Sequence, residues 1–323
     1  MSETRGPTTA EFPAETGNGG RFVRQRNRFT ERITADGSSG FPAEAGRYQL
    51  YASYSCPWAQ RSLIVRRLLG LEDVVGLTIV DPIRDERGWR FTLSPDGRDP
   101  VTGARFLSEL YHATDPSYTG RVTVPCVWDT KTRRLVTNDF PGLTLTMETE
   151  FTAFHRAGAP DLYPPELRDA IEAVGATVYE DVNNGVYKAG FATTQGAYEE
   201  AFDALFATLG ELESRLGRQR FLCGDRLTEA DVHLYTTLAR FDAVYYSHFK
   251  CNLRRLVDYR NLWGYARDLY GRPAFGETTD LDHIKRHYYE THPTINPTRI
   301  VPKGPAIDWA TPHGRDRLPD RTR

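Results

Sequence analysis

The residue with the clearest capacity for chemistry is Cys56, in Ser55-Cys56-Pro57-Trp58-Ala59. A thiol between a strand end and a proline that opens a helix occupies the cap position of that helix. There the unpaired backbone N–H groups and the positive end of the helix dipole favour thiolate over thiol. The thiolate is the nucleophile, so position alone makes Cys56 the expected attacking atom. No second cysteine stands three residues on, where the chain has Ala59. An oxidised Cys56 therefore closes no disulfide across the motif, and an external low-molecular-weight thiol has to reset it.

Val124-Pro125 is the expected companion of Cys56. In thioredoxin-like folds a cis-proline at this strand start faces the reactive cysteine and leaves the N–H and C=O of the preceding residue open to a thiol peptide. Only about 5–6% of X-Pro bonds are cis in folded proteins, but Thr123-Val124-Pro125-Cys126-Val127 beside the Cys56 motif points to one here. The other cysteines, Cys126, Cys223 and Cys251, form no Cys-X-X-Cys pair. That spacing reads as free thiols of a reducing, cytoplasmic compartment rather than a disulfide framework or a zinc site. Cys126 is expected to be buried in a strand, and the other two to serve packing. His283 and His287 are spaced to share a helix face, but no third ligand accompanies them, so no metal is expected.

The elements that must hold these residues can be read from periodicity. Residues 47–52 read as a strand, and 57–69 as a helix with Pro in its first turn, Gly70 just past its end and one apolar stripe. Residues 74–80 form a short apolar run of the buried-strand type. A stretch from about 84 to 120 is rich in Gly, Asp, Pro, Ser and Arg and reads as an irregular insertion, a length usually disordered or functional. Residues 122–129 and 134–138 make a hairpin, and a helix is expected from about Gly142 to Phe154. Strand, helix, strand, insertion, strand, strand, helix is the order of a thioredoxin-like α/β domain. Beyond 155 the pattern is helical: Tyr198, Phe202, Leu205, Leu209, Leu212 and Leu216 follow 3- and 4-residue spacing. Thr228 caps a further helix with Asp231 in the reciprocal position. Helices are also expected over 261–270 and 281–289, before an irregular proline-bearing tail. The expected division is an arm over 1–45, a thiol-binding domain over 46–154 and an all-helical domain over 155–323.

Composition sets the outer bounds. A chain of 323 residues exceeds the usual size of one domain. A formal net charge of −2 gives no reason to expect nucleic acid or an anionic membrane as partner. No apolar run is long enough to span a bilayer, and the polar start has no apolar core of a secretory signal. Arginine supplies 36 of the 41 basic residues, which hints at a GC-rich genome.

Several segments together resemble one family, the glutathionyl-hydroquinone reductases or xi-class glutathione transferases. They include Arg47-Tyr48, the Cys56 motif, Gly88-Trp89-Arg90-Phe91, Arg121 to Pro125, Val186 to Ala192, His248 to Asn252, His283 to Tyr289 and Ile295-Asn296-Pro297. The resemblance covers about residues 20 to 305. It implies a thioredoxin-like domain followed by an all-α domain, a homodimer, and glutathione as cosubstrate. It implies removal of the thiol from thioether-linked hydroquinones through a mixed disulfide on Cys56. By the same resemblance Trp89 and Val124, the latter through its backbone beside Pro125, bind the thiol peptide. Tyr187 and Tyr288 line the quinol pocket, where their hydroxyls can bond the quinol oxygens and help protonate the leaving ring carbon.

Two departures stand out. Gln60 replaces the usual His after the Cys-Pro-Trp-Ala motif. After the hairpin the family has Asn-Glu-Ser, which holds the γ-glutamyl end of glutathione; here the stretch is Asn138-Asp139-Phe140. Asp139 has a shorter reach, and Phe140 keeps an N–H but loses the hydroxyl and adds bulk. This leaves open whether the cosubstrate is glutathione or another thiol such as mycothiol. Two other functions compete. Ordinary glutathione conjugation normally uses Ser or Tyr where this chain has Cys56. A non-catalytic module of the same fold would leave the set Cys56, Trp89, Tyr187 and Tyr288 without purpose.

Overall fold

Five consecutive buried residues, Tyr48–Ala52, form β1, paired on both sides within a four-stranded sheet of order β2-β1-β3-β4. The computed structural model describes residues 15–85 and 87–322; residues 1–14 of the arm expected over 1–45 lie outside the described part. β2 (Val75–Ile79) runs parallel to β1, while β3 (Cys126–Asp129) and β4 (Arg134–Thr137) complete the sheet as an antiparallel hairpin. A parallel pair needs a crossover, and α1 (Pro57–Leu69) supplies it. Gly70 ends α1 in the left-handed region, φ 72°, donating its N–H to the carbonyls of Arg66 and Arg67.

α1 is buried on all sides rather than along one stripe: of its residues only Arg67 is not buried. The helix is covered by β1 and by α3 (Phe140–Thr149). Polar side chains are accommodated with it, as where the Arg61 guanidinium lies 4.6 Å from the Trp58 ring centroid. α3 begins two residues earlier than expected because Pro141 falls in its first turn, where a missing N–H costs nothing. The expected last turn is instead a separate 3₁₀ turn, Thr152–Phe154.

The stretch 84–120 is not irregular throughout. It contains α2 (Leu107–Thr114), which packs on β4 and completes the order βαβαββα. Its start is capped in reverse: the Glu109 carboxylate accepts from the N–H groups of Arg105 and Phe106. The loop before it is organised by buried Asp99, which accepts from Tyr51 of β1 at 2.7 Å, from Thr78 of β2, and from Thr102.

The chain divides into two compact units, and the division is discontinuous. Residues 25–157 and 282–301 form the first, so most of α10 (Leu281–Thr291) belongs with the sheet. The second holds residues 15–24, 158–281 and 302–322. It contains α4 (Arg168–Thr177), α5 (Gly185–Gly190), α6 (Gln195–Leu216), α7 (Glu229–Arg240), α8 (Arg260–Tyr270) and α9 (Pro273–Gly276). Residues 15–24 join it through Gly20, whose carbonyl accepts from Thr193 N–H, and through the Arg21–Glu200 ion pair. The tail is also held there. Arg315 donates to the carbonyls of Leu216, Gln219 and Arg220, satisfying the last carbonyl of α6 and two in the segment that follows it.

Asp231 organises the second unit. Fully buried, its carboxylate accepts from Leu222 N–H, Thr228 N–H, Thr228 Oγ1 and Tyr265 Oη, at 2.8–3.0 Å. The capping box expected at Thr228 is present.

Candidate functional site

In the first unit Cys56 is the N-cap residue of α1, with extended backbone (φ −84°, ψ 119°) and a partly exposed side chain. Its carbonyl accepts the first helical bond from Gln60 N–H at 2.9 Å, and its own N–H reaches Ser53 at 3.2 Å. The turn beneath is stiffened by a 2.7 Å bond between the buried hydroxyls of Ser53 and Ser55. The Cys56 thiol donates to the Val124 carbonyl at 3.4 Å. The Val124–Pro125 bond is cis, as expected from the sequence. The Val124 N–H has no partner among the described residues, which leaves a buried backbone donor for an incoming acceptor. Cys126, one residue on, is fully buried, and that burial pushes its thiol well above the ordinary range. Cys56 is thus the accessible sulfur of this region.

The stretch Asn138-Asp139-Phe140 is tied down by residues of the N-terminal arm that the sequence did not single out. Asn138 Oδ1 accepts from Phe29 N–H at 3.0 Å, and Asn138 N–H donates to the Phe29 carbonyl. Asn138 Nδ2 donates to Thr123, next to Val124. Asn27 Nδ2 donates to the Asp139 carboxylate at 3.0 Å. Thr30 forms an isolated bridge with Thr137 at the end of β4. The Phe140 ring is buried against Trp58, centroids 4.6 Å apart, and its N–H donates to the Asn138 carbonyl. The backbone donor expected to be available at Phe140 is therefore engaged within the chain.

Trp89 and Tyr288 also lie in the first unit, both buried. Trp89 is stacked on His287 of α10, centroids 5.1 Å apart and planes 12° from parallel. The Tyr288 ring meets His287 and His292 edge-on. His283 lies edge-on to Tyr54, so each of the two histidines that share a helix face packs against aromatic rings. Among the described residues no three His, Cys, Asp or Glu side chains gather as a metal site.

Tyr187 stands on α5 of the second unit. It sits in an aromatic cluster with Phe22, Phe191, Tyr245 and Phe249. The Arg24 guanidinium lies 4.9 Å from its ring centroid while also bonding Asn184. A Cβ on Gly190 would fall 2.2 Å from Phe249 Cγ, so the glycine is what lets this ring pack. Arg24 and Phe22 belong to the arm, whose polar composition gave no sign of their partners.

The cluster is flanked by buried His248, whose ring is 5.4 Å from that of Phe249. Burial, with Lys250 nearby, pushes the imidazole down to about 4 from its ordinary 6.5. Above pH 6.5 both the folded and the unfolded chain hold this histidine neutral. Between 6.5 and about 4 only the unfolded chain takes up the proton, so stability is lost as pH falls through this window. At about 1.4 kcal/mol per unit the loss approaches roughly 3 kcal/mol at pH 4. Urea unfolding of wild type and His248→Gln from pH 7 to pH 4 should show the variant losing measurably less.

Residues 195–268 match the family model "Glutathione S-transferase, C-terminal domain". The chain is 47% identical over 306 residues to glutathionyl-hydroquinone reductase YqjG of Escherichia coli, covering 92% of this chain and 93% of that one. It is 48% identical to glutathionyl-hydroquinone reductase PcpF of Sphingobium chlorophenolicum, covering 90% and 91%. A glutathione transferase from Gordonia bronchialis superposes with TM-score 0.89 at 54% identity, covering 91% and 92%. The glutathione-bound structure of YqjG superposes with TM-score 0.84, covering 90% and 96%.

Proposed function

Because the chain belongs to the glutathionyl-hydroquinone reductases, the xi-class glutathione transferases, we propose that Cys56 is its nucleophile and that Trp89, Val124 and Pro125 hold the thiol. The protein is a thiol-dependent reductase of the glutathione transferase fold. In the first step the Cys56 thiolate attacks the sulfur of a glutathionyl-hydroquinone. The Cys56–sulfur bond forms, the ring carbon–sulfur bond breaks, and the ring carbon takes a proton as hydroquinone leaves. A second glutathione thiolate then attacks the mixed disulfide, releasing glutathione disulfide and Cys56. The net change is two-electron reduction of the ring at the expense of one free thiol, which leaves joined to the conjugate's own sulfur as glutathione disulfide.

By the family resemblance Tyr187 and Tyr288 act on the quinol as hydroxyl donors. The observation that carries the reading is the partly exposed Cys56 thiol against the Val124 carbonyl, beside the cis Val124–Pro125 bond. Hydroquinone release from a glutathionyl-hydroquinone in the presence of glutathione tests it; no release above the uncatalysed rate would defeat it. The family resemblance further supports a homodimer, and the four free cysteines suit a reducing compartment such as the cytoplasm. No helix among the described residues is long and apolar enough to cross a membrane.

A second reading of the cosubstrate is favoured by one feature. Where the family resemblance implies a Ser hydroxyl for the γ-glutamyl end, this chain has a Phe140 ring packed on Trp58 and an N–H bonded to Asn138. A thiol without a γ-glutamyl group, such as mycothiol, suits that surface better. Phe140→Ser is then expected to tighten glutathione binding by roughly tenfold, the worth of one good hydrogen bond. Calorimetric titration of both proteins with glutathione and with mycothiol would decide. Equal glutathione affinity in wild type and variant would remove Phe140 as the determinant.

A further inference from the structure

His283 and His287 draw attention as a helix-face pair, and the structure gives His287 an occupation that has nothing to do with metal. Its Nδ1 lies 2.6 Å from the Pro82 carbonyl. A carbonyl only accepts, so Nδ1 carries a proton and donates it. Its ring is stacked on Trp89, seven residues further along the same loop, at 5.1 Å and 12°. One buried imidazole thus holds the loop after β2 at two points, through a hydrogen bond at one and a ring face at the other. The Arg84 guanidinium lies 5.1 Å from the centroid of the same indole. The Trp89 indole N–H is buried and has no partner among the described residues. An unpaired buried donor is costly, and a ring held this firmly cannot turn to find a partner elsewhere.

We propose that His287 is a positioning residue for thiol binding: by fixing the loop at Pro82 and Trp89, it presents the Trp89 indole N–H to a hydrogen-bond acceptor on the thiol cosubstrate. This rests on the assignment of Trp89 to thiol binding made above. α10 thereby serves the thiol as well as carrying Tyr288, and a change on a distant stretch of sequence alters cosubstrate affinity without touching the reacting atoms.

The test is steady-state kinetics of the full-length protein with a glutathionyl-hydroquinone and varied glutathione. His287→Ala should raise the KM for glutathione about three- to tenfold, the range expected for losing one stacked aromatic pair. Its kcat at saturating glutathione should stay within about twofold, because no transition-state contact is removed. His287→Phe, which keeps a ring on the indole, should restore most of the affinity. Trp89→Phe should raise the same KM, and adding His287→Ala to it should change little more, since both act through the indole. If Trp89→Phe raises the KM and His287→Ala does not, positioning by His287 is overturned while Trp89 keeps its role. A KM untouched by Trp89→Phe defeats the assignment of Trp89 and the proposal with it. A His287→Ala protein with lower melting temperature and unchanged KM has lost only a structural contact, which also overturns the proposal, as does a failure of His287→Phe to rescue.

Discussion

Cys56→Ser should lower hydroquinone release from a glutathionyl-hydroquinone by at least about 10³-fold, the scale on which removal of a covalent nucleophile acts. A serine hydroxyl does not ionise near neutral pH, and oxygen forms no counterpart of the mixed disulfide that splits the reaction into two steps. The fold gives no reason for the variant to be unstable. A serine at the cap position is at least as good a capping residue as cysteine, and it can keep the contact that the thiol makes with Val124. Its melting temperature should therefore match that of the wild type to within about 2 °C. Chromatographic assay of free hydroquinone, with thermal unfolding as control, measures both. A serine variant that keeps turnover within tenfold of wild type would mean that an external thiolate attacks the conjugate directly, and the covalent route would have to be abandoned.

Asp231→Ala should be the most damaging single change to stability among those considered. Four donors converge on this fully buried carboxylate: two backbone N–H groups, the Thr228 hydroxyl and the Tyr265 phenol. Truncation leaves the two N–H groups and the Thr228 hydroxyl without this acceptor, and the Tyr265 phenol with only the Asp231 carbonyl at 3.5 Å, at about 1–3 kcal/mol for each that finds no replacement. Some relaxation is certain, so a net loss of about 4 kcal/mol is expected, near the upper end for point variants. For a unit of this size it corresponds to a fall in melting temperature of roughly 10 °C. Burial raises the Asp231 carboxyl above its ordinary range, so Asp231→Asn, neutral and nearly isosteric, should lose less than the alanine variant. Scanning calorimetry of the two variants checks both. A fall of less than about 3 °C for Asp231→Ala would show that the cap is not what holds α7 to its neighbours.

Much of this fold can be read from the sequence because local signals agree with tertiary need. Pro57 and Gly70 bracket α1, alternation and short polar turns mark the hairpin, and Thr228 with Asp231 announces α7. α2 escapes for a physical reason. It begins after a run of loop-forming residues, Phe106 stands at its cap, and the only start signal is Glu109 reaching backward. The burial of α1 on every side is hidden for another reason: a guanidinium covering an indole, as Arg61 covers Trp58, looks like a solvated residue in any hydropathy pattern.

At the site, the cis bond and the Cys56–Val124 contact follow from the motif. The arm does not, because contacts such as Asn27–Asp139, Phe29–Asn138 and Arg24–Tyr187 join residues about 110 or more positions apart, with no periodicity to betray them. The pairing of His287 with Trp89 is of the same kind. Sequence spacing shows two histidines on one face of a helix, and only the folded chain shows which ring lies beneath.

Under the proposed function, the departure at Asp139-Phe140 is a matter of specificity rather than of mechanism. In the proposed site, Cys56, Val124 and Pro125 handle the sulfur being transferred, whereas Asp139 and Phe140 are assigned by the family resemblance to the distant end of the thiol that carries it. The two can vary independently, and a chain with an intact sulfur-handling centre can change thiols by altering the other end alone. Asn27 then matters as well, because its bond holds the Asp139 carboxylate in place.

The most direct measurement is capture of the covalent intermediate. The reduced protein is mixed with a glutathionyl-hydroquinone in the absence of free thiol, quenched in acid and analysed by intact-mass and peptide mass spectrometry. The expected result is one glutathionyl group per chain, located on Cys56, formed together with one equivalent of hydroquinone and discharged when glutathione is added. Hydroquinone released with no adduct on Cys56, or an adduct that forms equally in Cys56→Ser, would contradict it.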